Sequence, residues 1–521
     1  MSGDAGDRLL RALQDHNPWW AEGTDVFSLP PRAKSDFYHL ARPGGEGSQF
    51  EDQAVLGLVG RRGAGKTTLL HQFVHHRIES GADPEQFLYL PMDADPLYQL
   101  QSDEQIRRAV RYYESRVLGR SDVDGPQFVM IDDVHRVEHP NKPDIEGWAR
   151  PVADVLEGTQ ERHVVVTASA EVQVDRELDR VGVEEDRYDT QPILPEKFRD
   201  YVFTLYPELE EEEHRVSPTS LRVGENSLPA SIERGTAGPF VEELREKYDR
   251  VGAQERRIRA QVADYLAMGG IVSYDRDGAV PAASDLTADD YERLREDVRH
   301  ALYQEVPGFE SIQTTADLER LCALAARDHA AEPIQYRELV QLFDVDRRTV
   351  TGSYLPALEQ LYLLTGVTEY DNQRPRSVRL YLRDTGLVTA LSGADPSASL
   401  HDYDREADLA RIAGFDHTMR FAYGVSAAQG EEVDPSVQFW EGRRGEVEYV
   451  FEIDGTPVPL ALAYRSGDRE DALAALEAFR EAYEAPVGML LAGDTVRGIE
   501  PVAEVSEGIV QLPYWLYLLI C

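Results

Sequence analysis

From Ala54 to Leu194, short apolar runs alternate with stretches whose hydrophobic residues recur at helical spacing. Ala54-Val55-Leu56-Gly57-Leu58-Val59, Phe128-Val129-Met130-Ile131 and His163-Val164-Val165-Val166 read as buried strands. Leu69, Leu70, Phe73, Val74 and Ile78 share one helical face. Strands are expected near Val55, Leu88, Val129, Val165 and Ile193, and their alternation with helices predicts a parallel α/β sheet. Ahead of it, Asp7 to Gln53 reads as a helical lead-in with a rigid aromatic corner at Asn17-Pro18-Trp19-Trp20.

The pattern then changes. Pro207 to Pro239 reads as an acidic, loop-rich insertion carrying Glu210-Glu211-Glu212-Glu213, and helical spacing resumes from Phe240 to about Leu266. A new module begins near Thr314. Ile334 to Phe343 is an amphipathic helix, Asp344-Val345-Asp346 a turn, and Arg347 to Leu364 a second helix with Val350, Tyr354, Leu358 and Leu361 on one face. A hairpin turns at Asp371 to Pro375 and returns through Val378 to Leu382. Helix, turn, helix and hairpin describe a winged helix. Its exposed cations would be Arg347, Arg348 and Thr349 beside them on the second helix, with Arg374, Arg376 and Arg379 on the wing. DNA contact and packing against the sheet domain are both open readings. The apolar end Leu512 to Ile520 is too short to span a bilayer and reads as a buried terminal strand. The expected domains are 1–53, 54–200, 201–310, 311–395 and 396–521.

Composition changes this picture in one respect. In 521 residues, 54 Lys and Arg stand against 95 Asp and Glu, a net charge of −41. Lysine is confined to Lys34, Lys66, Lys142, Lys197 and Lys247. An acid excess spread over a chain of ordinary hydrophobic content reads as a surface adapted to high salt, where counter-ions screen self-repulsion. It does not exclude a nucleic-acid ligand. Cys322 and Cys521 supply neither a disulfide framework nor a metal cluster, and no signal peptide is read at the start. The expectation is a cytoplasmic protein with no membrane segment.

The chemistry concentrates at Gly60-Arg61-Arg62-Gly63-Ala64-Gly65-Lys66-Thr67-Thr68. The spacing G-x-x-x-x-G-K-[ST] between a strand and a helix is that of a phosphate-binding loop. Gly60 and Gly65 permit close backbone approach, Lys66 reaches β- and γ-phosphates, and the Thr67 hydroxyl ligates Mg²⁺. The Phe128–Ile131 run ends in Asp132-Asp133, where a magnesium-holding acid belongs. Asp132 would hold the metal through water, and Asp133 would orient or deprotonate the attacking water. After the next strand, Thr167 or Ser169 is placed to sense the γ-phosphate, with an ordinary strand-end hydroxyl as the alternative. Arg61, Arg62, Arg150, Arg180 and Arg187 are candidates for γ-phosphate contact within or between subunits, surface ion pairs being the plainer role for each.

These pieces, in this order, resemble a large prokaryotic and especially archaeal family of AAA+ P-loop ATPases. Further matches are Leu194-Pro195-Glu196-Lys197-Phe198-Arg199-Asp200-Tyr201, Asp264 to Gly270, Leu380 to Leu387 and Leu512 to Leu516. The resemblance implies an AAA+-like P-loop NTPase sheet domain, then a winged helix, then a restriction-endonuclease-like α/β domain similar to PD-(D/E)xK nucleases. It implies ATP and Mg²⁺ as ligands. The family carries Asp-Glu where this chain has Asp132-Asp133, and Thr-Gly-Ser where it has Thr167-Ala168-Ser169. Nuclease-like relatives hold Mg²⁺ with one acid followed by Glu-x-Lys on the next strand. Here Glu448 keeps the first acid and Glu406 stands for the helical one, but Ala461 and Ala463 occupy the Glu and Lys positions. The expected function is an ATP-binding, ATP-hydrolysing protein coupling nucleotide state to DNA or a partner, a homo-oligomer or another protein being candidates. The alternatives are a nucleotide-dependent signalling or scaffold switch without nucleic acid and, below it, an ATP-dependent nuclease.

Overall fold

The structure is a computed structural model that describes residues 9, 11–30, 54–92, 103–120, 125–137, 147–158, 162–209, 219–270, 286–310, 312, 314–327, 332–393, 403–430, 436–465, 467–493 and 500–521. Strands β1 (Val55–Val59), β2 (Phe87–Pro91), β3 (Gln127–Asp132), β4 (Arg162–Ala168) and β5 (Tyr188–Pro192) form one parallel sheet in the order β2-β3-β4-β1-β5. Alternate residues feed opposite faces. Leu56, Leu58, Phe128 and Met130 pack with Leu69, Leu70 and Phe73 of helix Lys66–Glu79. Val55, Val59, Val129, Ile131, Val164 and Val166 pack on the other face with Ile106, Val152 and Leu178 of three further helices. Both faces are covered, which is why these strands read as unbroken apolar runs. The edge strand β5 is Tyr188-Asp189-Thr190-Gln191-Pro192, half-buried throughout, and lies just before the expected Ile193.

At the opposite edge, the aromatic corner closes β2. Asn17 accepts the Tyr89 amide at 2.6 Å and donates to the Tyr89 carbonyl at 3.0 Å. The indole N–H groups of Trp19 and Trp20 both donate to the Phe87 carbonyl, at 3.4 and 2.8 Å. Side chains thus satisfy backbone groups that an edge strand would otherwise expose.

Beyond the sheet, the described part of the insertion is more helical than expected, and Glu210-Glu211-Glu212-Glu213 lies outside the described residues. Short helices Thr219–Arg222 and Leu228–Arg234 lead into Gly238–Val251 and Glu255–Met268. Leu221, Leu228 and Phe240 are buried, which supplies the packing that the acidic composition obscured. Helix Phe198–Leu205 straddles the expected boundary at residue 200, and its Phe198, Tyr201, Val202 and Phe203 join the core of the later modules.

The next module runs helix Thr315–Arg327, β6 (Pro333–Gln335), helix Tyr336–Phe343, a helical run over 347–360, β7 (Leu364–Val367) and β8 (Ser377–Leu382). Its antiparallel sheet has the order β6-β8-β7. The 347–360 run contains a π-turn at Val350–Tyr354, where the Leu355 amide reaches back to Val350. Pro356 has no N–H to offer and its ring needs room, which the wider turn provides. The helix stops short of the expected Leu364 because Tyr362 takes φ 53°.

The last module is helix Tyr403–Gln429, then β9 (Gln438–Gly442), β10 (Gly445–Ile453), β11 (Thr456–Ala463), helix Arg469–Tyr483, β12 (Gly488–Ala492), β13 (Ala503–Ser506) and β14 (Ile509–Pro513). The sheet order is β13-β14-β12-β11-β10-β9, with β11-β12-β14 parallel. The expected terminal strand is corrected: β14 gives way to helix Tyr514–Ile520, every residue of which is buried. It is apolar on all sides because it packs against the helices Phe198–Leu205 and Glu255–Met268 and the sheet at once.

Candidate functional site

At the end of β1 the chain leaves the sheet through Gly60, whose φ is 156°. A Cβ there would lie 2.2 Å from the Ile193 carbonyl oxygen, so only glycine fits. Gly63 and Gly65 take φ 81° and 92°, the left-handed region that a cradle of inward N–H groups requires. Helix Lys66–Glu79 starts directly behind, adding the positive end of its dipole. The Lys66 ammonium folds back over the loop and donates to the carbonyls of Gly60 at 2.6 Å and Arg61 at 3.2 Å.

The sheet order explains the rest. β4 lies between β1 and β3, and its register places Val166 opposite Ile131 and Ala168 opposite Val59. Thr167 therefore stands between the loop and the acid at the end of β3. Its hydroxyl donates to Asp132 Oδ1 at 2.5 Å and accepts the Asp133 amide at 2.8 Å. Thr67 donates to Asp132 Oδ2 at 2.7 Å, and Tyr89 from the middle of β2 donates to the same oxygen at 2.7 Å. Three hydroxyls thus fix one buried carboxylate at the loop. Asp133 takes φ 59°, a strained value for a residue with a Cβ, and its carboxylate lies 3.6 Å from Arg136 Nε.

Arg62, Gly63, Gly65, Lys66, Thr67, Thr68, Asp133, Ser169 and Glu305 line a cleft of about 290 Å³. Ala64 is buried beneath it. The Thr67 hydroxyl and Asp132 carboxylate are adjacent hard oxygen donors of the kind Mg²⁺ takes, and the glycine cradle suits phosphate. Among the described residues no three His, Cys, Asp or Glu side chains are grouped to hold a metal. A cation here would draw its remaining ligands from phosphate and water.

The sequence reading missed the residues that reach this cleft from other modules. Arg61 turns its side chain away from the cleft to Asp384, 3.5 Å distant, so its loop contribution is its backbone. Asp384 also caps helix Thr385–Ser392 and accepts the Gly270 amide at 2.7 Å. Burial lowers the pKa of Arg61 and raises that of Asp384, each partner opposing the shift. Arg62 pairs with Asp297 at 3.0 Å. Glu305 enters from the turn after helix Ala288–His300, between His135 and His300, each 3.8 Å away. Burial pushes His135 down to about 4, so its imidazole is neutral. None of these partners has a sequence signature, because each depends on a contact between distant segments.

The other candidate arginines are placed elsewhere. Arg150 pairs with Asp154 and Arg180 with Glu177. Arg187 precedes β5 at the amino end of the sheet, where its carbonyl accepts the Ala54 amide, so it cannot reach the loop of its own chain.

In the second module, Arg348, Arg374 and Arg376 are exposed. Arg347 donates to the Pro375 carbonyl at 2.7 Å and lies over the Tyr336 ring, which fixes the wing to the helix. The expected role of Arg379 on an open wing is corrected. It is 1% exposed, bonds Glu446 at 2.6 Å and lies over the Phe439 ring, because the last module packs against this face of β8.

In the last module, Glu448 spends its Oε2 on the Leu462 amide at 2.9 Å. Glu406 accepts the Tyr464 hydroxyl. Ala461 and Ala463 sit in an apolar cluster with Val447, Val450 and Leu476.

Residues 52–202 match the family model described as AAA domain, and residues 277–398 match one described as a domain of unknown function. No curated protein matches the chain. Among solved structures, the Walker-type ATPase PABY2304 of Pyrococcus abyssi is 13% identical, covering 69% of this chain and 98% of its own, with TM-score 0.34. The Aeropyrum pernix ORC1 protein in complex with DNA is 15% identical over 73% of this chain and 97% of its own, with TM-score 0.25. The replication initiator DnaA bound to AMPPCP and single-stranded DNA is 13% identical over 64% and 92%, with TM-score 0.22. The sheet domain is thus similar to an AAA domain and carries a P-loop. Among the described residues no helix is long and apolar enough to cross a membrane.

Proposed function

We propose that this protein binds and hydrolyses ATP at the loop Gly60–Thr68 and uses the nucleotide state to set the arrangement of its later modules. The observation that carries this is the network Thr67–Asp132–Thr167–Asp133, which joins the helix, the acid strand and the sensor strand at one cleft. The N–H groups of Arg61, Arg62, Gly63, Gly65 and Thr68 and the Lys66 ammonium hold the phosphates, while those of Gly60 and Ala64 donate to the Ala168 and Arg61 carbonyls. Thr67 and Asp132 hold Mg²⁺, which when bound neutralises phosphate charge and polarises the γ-phosphoryl group. Thr167 keeps Asp132 oriented and holds the Asp133 backbone. Asp133 faces the cleft as a water-orienting carboxylate.

Coupling to the rest of the chain runs through Arg61–Asp384 and Arg62–Asp297, since both follow Gly60 directly. We read the second module as a winged helix and the third as a nuclease-like fold that no longer cleaves. The burial of Arg379 against Glu446 favours a protein or self-associated partner over DNA. Exposed Arg348, Arg374 and Arg376 support DNA as the second reading. The acidic surface fits a halophilic source, and the buried free thiols Cys322 and Cys521 fit a cytoplasmic one.

Asp132→Asn tests the metal role and Asp133→Asn the water role. The first should weaken magnesium-dependent nucleotide binding, and the second should slow hydrolysis while leaving affinity in place. Hydrolysis at the parent rate in Asp133→Asn would remove that residue from the chemistry.

A further inference from the structure

The cleft at the phosphate loop is also lined by Glu305, a carboxylate from outside the sheet domain. Helix Ala288–His300 passes into a π-turn over Ala301–Glu305, closed by the Val306 amide reaching back to Ala301. Pro307 follows and offers no N–H, so the wider turn resolves the missing bond. Tyr303 and Gln304 face solvent on this turn, whereas Glu305 points inward and is only 3% exposed. It lines the cleft together with Lys66, Thr67, Asp133 and Ser169.

The surroundings of Glu305 do not account for it as a structural residue. Its Oε1 lies 3.8 Å from Nε2 of both His135 and His300, beyond hydrogen-bond reach. Among the described residues, its Oε2 has no hydrogen-bond partner. A buried carboxylate left so is costly unless something else occupies its lone pairs. Asp133, by contrast, is one methylene shorter, leans to Arg136 at 3.6 Å and is held on strained backbone. The loop fixes phosphates through its own backbone, and Glu305 lines the same cleft from outside the sheet domain, where it can meet an attacking water.

Resting on the reading of this cleft as an ATP site, we propose that Glu305 is the base that deprotonates the attacking water, with Asp133 left to orient it. In that step the water oxygen bonds to the γ-phosphorus and its proton passes to Glu305. The bond from phosphorus to the bridging oxygen breaks, and ADP leaves with that electron pair. Hydrolysis then requires the Ala288–Phe309 segment to be seated, which Arg62–Asp297 and the Arg136–His300 contact at 3.4 Å provide. Nucleotide turnover is thereby tied to the position of a module outside the sheet domain.

The test uses the full chain and Glu305→Gln, which preserves shape. ATP affinity by calorimetry should stay within about 3-fold of the parent or tighten, while single-turnover hydrolysis falls by at least about 100-fold. In the nucleotide-free protein, the imidazole resonances of His135 and His300 should shift in the variant, which reports the contact without any turnover. Parent-rate or faster hydrolysis overturns the proposal, the latter marking Glu305 as a carboxylate that repels nucleotide. Unmoved imidazole resonances overturn it as well, as does a parent that binds ATP and releases no phosphate. A parent that binds no ATP overturns both this assignment and the ATP reading. Should Glu305→Gln lose its fold, Glu305→Asp serves, with the same affinity and a rate reduced by the retracted carboxylate.

Discussion

Replacing Asp384 by alanine should destabilise the protein out of proportion to the size of the side chain. Arg61 and Asp384 are 3.5 Å apart with side chains 4% and 3% exposed. Asp384 also accepts the Gly270 amide at 2.7 Å and the Leu387 amide at 3.3 Å. Burial drives Arg61 down and Asp384 up in pKa, so for each the lost hydration outweighs the partner's attraction. Such a pair adds little net stability while intact, but removing one member strands the other charge, at a cost of about 3–5 kcal/mol. Two orphaned amides are included in that loss. Arg61→Met in the Asp384→Ala background should recover part of it, giving a coupling of at least about 1 kcal/mol. The assay is urea denaturation at fixed molar salt for the parent, both single variants and the double. Because the Arg61 carbonyl accepts Lys66 at 3.2 Å, ATP affinity should fall in Asp384→Ala as well. A loss below about 1 kcal/mol, or strict additivity, would refute a buried pair joining the loop to the second module.

Glu448 is raised to about 7, by burial first and then by Glu446. A carboxylate raised on folding contributes stability that is full below its unfolded value and is lost as pH climbs through about 7. Glu448→Gln should therefore gain on the parent between about pH 4.5 and 7, by an order of 3 kcal/mol at pH 8, in melting curves across that range; superimposable pH profiles would contradict this. The parent should show no Mg²⁺- or Mn²⁺-dependent cleavage of single- or double-stranded DNA, with or without ATP, since Ala461 and Ala463 offer neither ligand nor base; cleavage lost in Glu448→Ala would restore the nuclease reading. With a net charge of −41, the melting temperature should rise between about 0.1 and 1 M salt as the Debye length shrinks from about 10 to 3 Å; a flat response would count against the halophile reading.

The parallel sheet was legible because both its faces are covered, which leaves β1, β3 and β4 as continuous apolar runs. β5 was harder to locate, being half-exposed and polar at an edge. The loop and the acids declare themselves by spacing, and Thr167 by its place at a strand end. Asp384, Asp297, Glu305 and Tyr89 gave no such signal. Their roles come from strand order and from modules folding back onto the loop, neither of which is periodic in sequence. Arg379 misled for a related reason. An arginine on a hairpin looks free until a neighbouring sheet is found packed on it. The terminal helix Tyr514–Ile520 reads as a strand in the sequence because a segment buried on every side shows no period to distinguish the two.

The central claim is that Gly60–Thr68 holds ATP with Lys66 as its principal charge contact. Calorimetric titration of ATP with Mg²⁺ into the full chain in molar salt, beside Lys66→Ala, tests it most directly. Saturable binding by the parent, abolished in a variant with an unchanged melting temperature, is the expected result. Equal affinity in the two proteins, or none in the parent, would contradict it.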